Sequence, residues 1–225
     1  MIARLPRWPT LATAGLLLAG CFFDVRAPGA GQSPVAPAGK KLVCGRIRVI
    51  DEHGVEYRPW DPAATMAPDL HLMLLRLGPR EVAPGMPFRA DGRFYWWLSP
   101  GDYALVGNRH DVHSAGTSDT QMQDMEVLAV LRAPAGAGAS YAGDLVIELD
   151  DVVMHDLLAM RFGFGRVTVV DRREEAFAAL EGLFGPLPAA PAVTLMCTGA
   201  QVPGFNDPGL FARARALLDA GCAGH

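Results

Sequence analysis

The chain has 225 residues, half of them hydrophobic and 20% charged, and its formal net charge at pH 7 is −4. This composition argues against an intrinsically disordered protein, and the lack of a basic charge excess argues against a nucleic-acid partner. The length allows one domain with a true hydrophobic core and a short extension.

The first twenty residues have the features of a secretory signal peptide. Arg4 and Arg7 form a basic start, and a short apolar run follows at residues 11–19. A transmembrane helix needs about 20 consecutive apolar residues, so this run is too short to be one. The alternative interpretation is an uncleaved helix lying in the membrane interface.

The sequence LAGC at residues 18–21 resembles the bacterial lipobox. The resemblance implies that the peptide is cut before Cys21 and that its thiol is acylated. Two or three acyl chains hold a protein on a membrane stably, whereas a single chain is marginal. The protein is therefore expected in the bacterial cell envelope, with the membrane as its first partner and an unidentified envelope or surface protein as its second. Because Phe22 stands where an aspartate would imply the inner membrane, the resemblance favours the outer membrane.

Proline, glycine, alanine and serine dominate the residues after Cys21. They show no hydrophobic periodicity, which predicts a flexible tether. The predicted organisation comprises a signal peptide at 1–20, a tether at 21–39, a β-sandwich domain at 40–170 and a helical extension at 171–225.

Alternating apolar residues predict strands in the domain. Residues 41–50 alternate with the strand period, and residues 70–77, LHLMLLRL, are apolar on both faces. The second pattern predicts either a central strand that is covered on both sides or a strand at an interface. In a later strand, Asp144, Glu148 and Asp150 are expected to face outward.

An aromatic run follows the turn signal Asp91–Gly92. Tyr95 and Trp97 lie on one face of the predicted strand and form a possible recognition patch if that face is open. The alternative is that one of the helices covers them. A β-turn at residues 99–102 then predicts a strand that returns alongside the aromatic one.

This region resembles the carboxypeptidase regulatory-like domain, which is a transthyretin-like antiparallel β-sandwich. The resemblance implies a mainly β fold with one or two appended C-terminal helices. Such domains are mostly non-catalytic, so it argues against an enzyme. The residues that carry the resemblance are Asp91, Gly92, Phe94, Trp96, Leu98, Pro100, Gly101 and Tyr103.

Two helices are predicted in the extension. The first begins at Asp171, buries a stripe of Phe177, Leu180 and Phe184, and ends at Gly185. The second has a proline at its first position and a glycine past its end, over residues 208–221.

Three cysteines remain besides Cys21. An exported protein folds under oxidising conditions, so Cys44, Cys197 and Cys222 should form one disulfide and leave one thiol. Three pairings are possible. We favour Cys197–Cys222, because both residues lie in the C-terminal segment and the bridge would fasten the last helix.

The best polar cluster is HDVHS, in which His110, Asp111 and His113 could bind a metal. Nothing in the sequence fixes a third convergent ligand, and a solvated loop is the alternative. We find no catalytic motif and predict no cofactor. The main hypothesis is a non-catalytic binding or structural module, and the second is a periplasmic metal- or small-ligand-binding lipoprotein that uses this loop.

Overall fold

A computed structural model describes most of the chain after Cys21. The predicted leader at 1–20, Cys21, Cys222 and the residues His110, Asp111 and His113 lie outside the described residues. The structure describes residues 22–29, 32–33, 35–61, 63, 70–109, 125–136, 138–156, 159–187, 189–198 and 209–221. The elements are β1 Lys41–Asp51, β2 Glu56–Tyr57, β3 Leu70–Arg76, β4 Glu81–Ala83, β5 Arg93–Leu98, β6 Gly101–Arg109, β7 Met125–Ala133, β8 Ala139–Asp156, β9 Ala159–Val170, α1 Arg173–Phe184, β10 Ala192–Val193 and α2 Gly209–Gly221.

The strands form two sheets, and the protein is mainly β, as predicted. In the first sheet β1 and β8 lie side by side in the middle, with β5 and β2 beyond β1 and with β9 and β10 beyond β8. The second sheet has the order β4-β3-β6-β7. The prediction of an antiparallel fold is wrong for one central pair, because β1 and β8 run parallel. The chain between these strands passes through the second sheet, so β8 can return in the direction of β1.

The alternation of apolar residues places one shared core between the two sheets. Val43, Ile47 and Val49 of β1 pack in the same buried cluster as Leu72 and Leu74 of β3. Burial of each such side chain contributes about 1.5–3 kcal/mol. This core therefore joins the two sheets into one body.

Each helix covers the outer face of one sheet. Leu180 of α1 packs with Leu42 and Tyr141 on the first sheet. Leu218 of α2 packs with Leu75 and other residues on the second sheet. The prediction that residues 70–77 form a strand covered on both sides is confirmed, because β3 contacts the shared core on one face and α2 on the other.

The turn after β5 does not form the predicted returning hairpin. β5 pairs with β1 and β6 pairs with β3 and β7, so the turn carries the chain from one sheet to the other. The Tyr103 hydroxyl donates a hydrogen bond of 2.7 Å to the Ser99 carbonyl oxygen across this turn. Gly101 adopts a φ of 147°, which favours glycine.

The start of the predicted tether is docked on the body. The Phe23 N–H donates to the Val82 carbonyl of β4 at 3.1 Å, and the Trp97 N–H of β5 donates to the Arg26 carbonyl at 2.8 Å. Val25 lies between these contacts and is only 5% exposed within the core. The N-terminal strap, Phe22–Arg26, therefore joins the edge strands of both sheets.

A second segment also joins the two sheets, through β8 of the first and β7 of the second. The Met196 N–H donates to the Ala142 carbonyl of β8 at 2.7 Å, and the Cys197 N–H donates to the Val130 carbonyl of β7 at 2.8 Å. We call residues 192–197 the C-terminal strap. Cys197 is disulfide-bonded and Cys44 is a buried free thiol. The partner of Cys197 lies outside the described residues, so the pairing with Cys222 stays a prediction.

The N-terminal strap can be tested with a matched pair of valines. Val25→Ala should lower the free energy of unfolding by about 1–3 kcal/mol, because it leaves a cavity in the shared core. Val35→Ala should change it by less than about 0.5 kcal/mol, because Val35 is 68% exposed. Urea denaturation measures both values. Equal small effects would show that the segment after Cys21 is a free tether.

Candidate ligand-binding site

Tyr95 and Trp97 do not form an open recognition patch. Tyr95 is 4% exposed, and its ring meets that of Phe184 edge to face with centroids 5.5 Å apart. Trp97 is half-buried and packs in the same cluster. Of the two interpretations left open by the sequence, the structure shows the covering helix, because the apolar stripe of α1 needs an apolar partner.

A polar cluster lies beneath α1 beside Tyr95. The Tyr141 hydroxyl donates a hydrogen bond of 3.1 Å to an Asp144 carboxylate oxygen and accepts one of 2.8 Å from the Arg172 N–H. Asp144 was expected to face solvent but is buried. Desolvation raises its pKa above the ordinary value, and burial likewise raises the pKa of Tyr141.

This polar cluster has no room for a substrate. Its cavity of about 10 Å³ could hold about one water molecule. Cys44 lines the cavity, and burial raises the pKa of its thiol to about 12, so the nucleophilic thiolate is scarce. The contacts of the cluster fasten the start of α1 to the sheet.

The structure does not test the predicted metal site. No group of three His, Cys, Asp or Glu residues capable of holding a metal ion occurs within the part of the chain that the structure describes. His110, Asp111 and His113 lie outside that part. Metal binding by their loop therefore stays a prediction.

A pocket that the sequence did not predict lies at one end of the first sheet. We call it the apolar pocket; it has a volume of about 370 Å³, within the range of small-molecule sites. The segment between the N-terminal strap and β1 forms one wall, and the loops around β8 and after α1 form others. Its lining includes Val35, Pro37, Lys40, Leu42, Ala139 and Leu187.

A second pocket of about 360 Å³ adjoins the first, and we call it the edge pocket. Pro37 and Lys40 line both pockets, so the two are neighbours across this wall. Aromatic and charged residues both line it, among them Phe23, Asp24, Arg26, Lys40, Arg76, Trp97 and Tyr103. The lining therefore combines aromatic side chains with three basic residues and one acidic residue.

The charged side chains of the edge pocket differ in whether they have an ion-pair partner. Arg26 pairs with Asp24 at 2.8 Å, and both side chains are largely exposed, so this pair contributes little to stability. Arg76 pairs with Glu81 at 3.2 Å. Among the described residues, Lys40 has no ion-pair partner. An anion entering the edge pocket would therefore meet an uncompensated ammonium group.

Sequence reasoning missed both pockets for a physical reason. Residues 35–40 of the pocket wall are mostly small and show no hydrophobic periodicity. A docked segment and a free segment can both have this composition, so it does not indicate that the segment forms a wall. The only available signal was the pair Phe22–Phe23 directly after Cys21, because aromatic residues rarely occur in free tethers.

Comparisons with known proteins assign no family to the chain. No protein family, curated protein or solved structure matches it. Within the described part of the chain, neither helix has the length and apolar character needed to cross a membrane. The functional interpretation therefore depends on the two pockets and on the predicted leader.

The buried Asp144 carboxyl predicts a pH-dependent stability difference. Because its pKa is raised in the folded state, the wild type loses stability as the pH rises from about 4 through that raised pKa. Asp144→Asn removes this loss, so the variant should gain stability relative to the wild type over the same interval. Urea denaturation at a series of pH values measures the difference. A stability difference for Asp144→Asn that is flat with pH would contradict the prediction.

The cysteines predict an alkylation pattern. Iodoacetamide at pH 8 should leave Cys44 unmodified in the native protein, because its thiol is buried and has a raised pKa. In the chain carrying Cys21→Ser, unfolding without reductant should expose Cys44 alone, and reductant should then expose Cys197 and Cys222. Peptide mass spectrometry locates each modification, with Cys44→Ala as the control. Alkylation of Cys222 before reduction would contradict the predicted pairing.

Proposed function

We propose that this protein is a lipid-anchored lipoprotein of the bacterial cell envelope whose folded domain is a non-catalytic binding module. The leader and the LAGC sequence support acylation at Cys21. The absence of an aspartate after Cys21 favours the outer membrane. The protein would then have two partners. It would attach to the membrane through its acyl chains, and its folded domain would bind a ligand or an envelope protein.

One observation carries the proposal. The segment that leaves the predicted anchor is fastened across both sheets and continues as a wall of the apolar pocket. A chain that only spaced a domain from the membrane would need neither the backbone hydrogen bonds of the N-terminal strap nor the burial of Val25. The docking of this segment and its part in the pocket wall therefore support a binding role for the domain.

The fold that we propose is a transthyretin-like β-sandwich of the carboxypeptidase regulatory-like kind. Two sheets that share one core support it, as does the Ser99–Gly101 turn with its hydrogen bond from Tyr103. The parallel pairing of β1 with β8 departs from a purely antiparallel sandwich. Domains of this kind are mostly non-catalytic.

A non-catalytic role is supported by the buried polar groups. Asp144 and Tyr141, whose pKa values are perturbed, lie beside a cavity too small for a substrate. Perturbed groups of this kind indicate an active site only when they line an accessible cleft. Here they hold α1 on the sheet.

The anchor predicts a defined mass and location. The native protein should begin at Cys21, carry acyl groups and sediment with the membrane fraction, because two or three acyl chains give stable attachment. Cys21→Ser should move the protein out of that fraction or leave the leader uncleaved, while Cys222→Ser should behave as the wild type. Intact-mass spectrometry of the extracted protein measures the modification. An unmodified chain that still carries its leader would overturn the anchor.

A further inference from the structure

Three glycines with positive φ line the apolar pocket. Gly39, Gly136 and Gly138 have φ values of 75°, 100° and 86°. A Cβ built on any of the three meets no atom within 4 Å, so these positions are not crowded. Their backbone conformation nevertheless favours glycine, because other residues would be strained there.

The apolar pocket is also poorly suited to polar ligands. Its wall at residues 35–38 is Val-Ala-Pro-Ala, and Leu42 and Ala139 are buried on the sheet side. Few polar groups converge there, so water or a sugar inside would find few hydrogen-bond partners. A flexible hydrocarbon chain is the ligand that such a lining accepts.

The edge pocket supplies the opposite chemistry. Lys40 lines both pockets, and Arg26 and Arg76 line the edge pocket. Asp24, which pairs with Arg26, lines it too, and Arg76 pairs with Glu81. Among the described residues, neither arginine is free of a carboxylate, whereas Lys40 has no ion-pair partner. A ligand that brought an anionic oxygen to this pocket would therefore meet the Lys40 ammonium group.

We propose that the two pockets form one site for a long-chain carboxylate, with the hydrocarbon tail in the apolar pocket and the carboxylate beside Lys40. Charge complementarity at Lys40 favours this ligand over a neutral alcohol or a cationic amphiphile. The inference rests on the proposed function only in treating the domain as a binding module. It does not depend on the lipid anchor.

The site can be tested on the full chain carrying Cys21→Ser, so that no acyl group of its own competes. Dodecanoate, measured by calorimetry and by displacement of a dansylated undecanoate, should bind saturably with one molecule per chain. Dodecanol and dodecyltrimethylammonium should bind at least tenfold more weakly, because neither places a negative charge beside Lys40.

Two variants locate the binding. Lys40→Glu should weaken dodecanoate at least tenfold and leave dodecanol unchanged, whereas Arg58→Glu, an exposed charge near the far end of β1, should alter neither. Ala189→Trp should abolish binding by filling the apolar pocket. The exposed Ala63→Trp is its control. Thermal denaturation confirms that each variant is folded.

The outcomes separate this inference from the anchor. Loss of binding in the two pocket variants alone supports the site. No saturable binding, or binding that survives Ala189→Trp and is therefore held by the leader or another surface, overturns it. Either result leaves the intact mass of the native protein, which tests the anchor, unaffected.

Discussion

Unpaired backbone groups at the sheet edges are the constraint on which this structure depends. Two packed sheets leave rows of unpaired N–H and C=O groups along their outer strands, and such edges invite pairing with other chains. Here two segments of the same chain pair with outer strands of the sheets. The N-terminal strap joins β4 to β5, and the C-terminal strap joins β8 to β7. Both crossings add hydrogen bonds to each sheet and bury residues of the strap against the core.

The same crossings position the pockets. Once Arg26 is bound to Trp97, the following residues must run along the end of the first sheet to reach β1. Residues 35–40 line the apolar pocket, and two of them, Pro37 and Lys40, also line the edge pocket. One segment, residues 22–40, therefore both pairs with the sheet edges and lines the pockets, even though its composition resembles that of a linker.

Local sequence patterns were sufficient to predict buried residues where burial follows the period of a strand or a helix. The apolar faces of β3 and the stripe of α1 were predicted, because a strand or helix buries the residues that recur on one face. The docking of the N-terminal strap was not predicted, because the burial of Val25 depends on core residues from strands that are distant in the sequence. The pockets were not predicted for a similar reason, because small residues give no sequence signal of what surrounds them.

The sequence by itself determined the strands, the two helices, the leader pattern and the alternation that gives one core between two sheets. Only the tertiary structure decided which outer faces are covered. Asp144 and Glu148 lie on the same face of β8, yet Asp144 is buried near α1 while Glu148 remains half-exposed and pairs with Arg166. Alternation specifies the face of a residue, but its solvation depends on the element that packs over that position, and this contact joins residues distant in the chain.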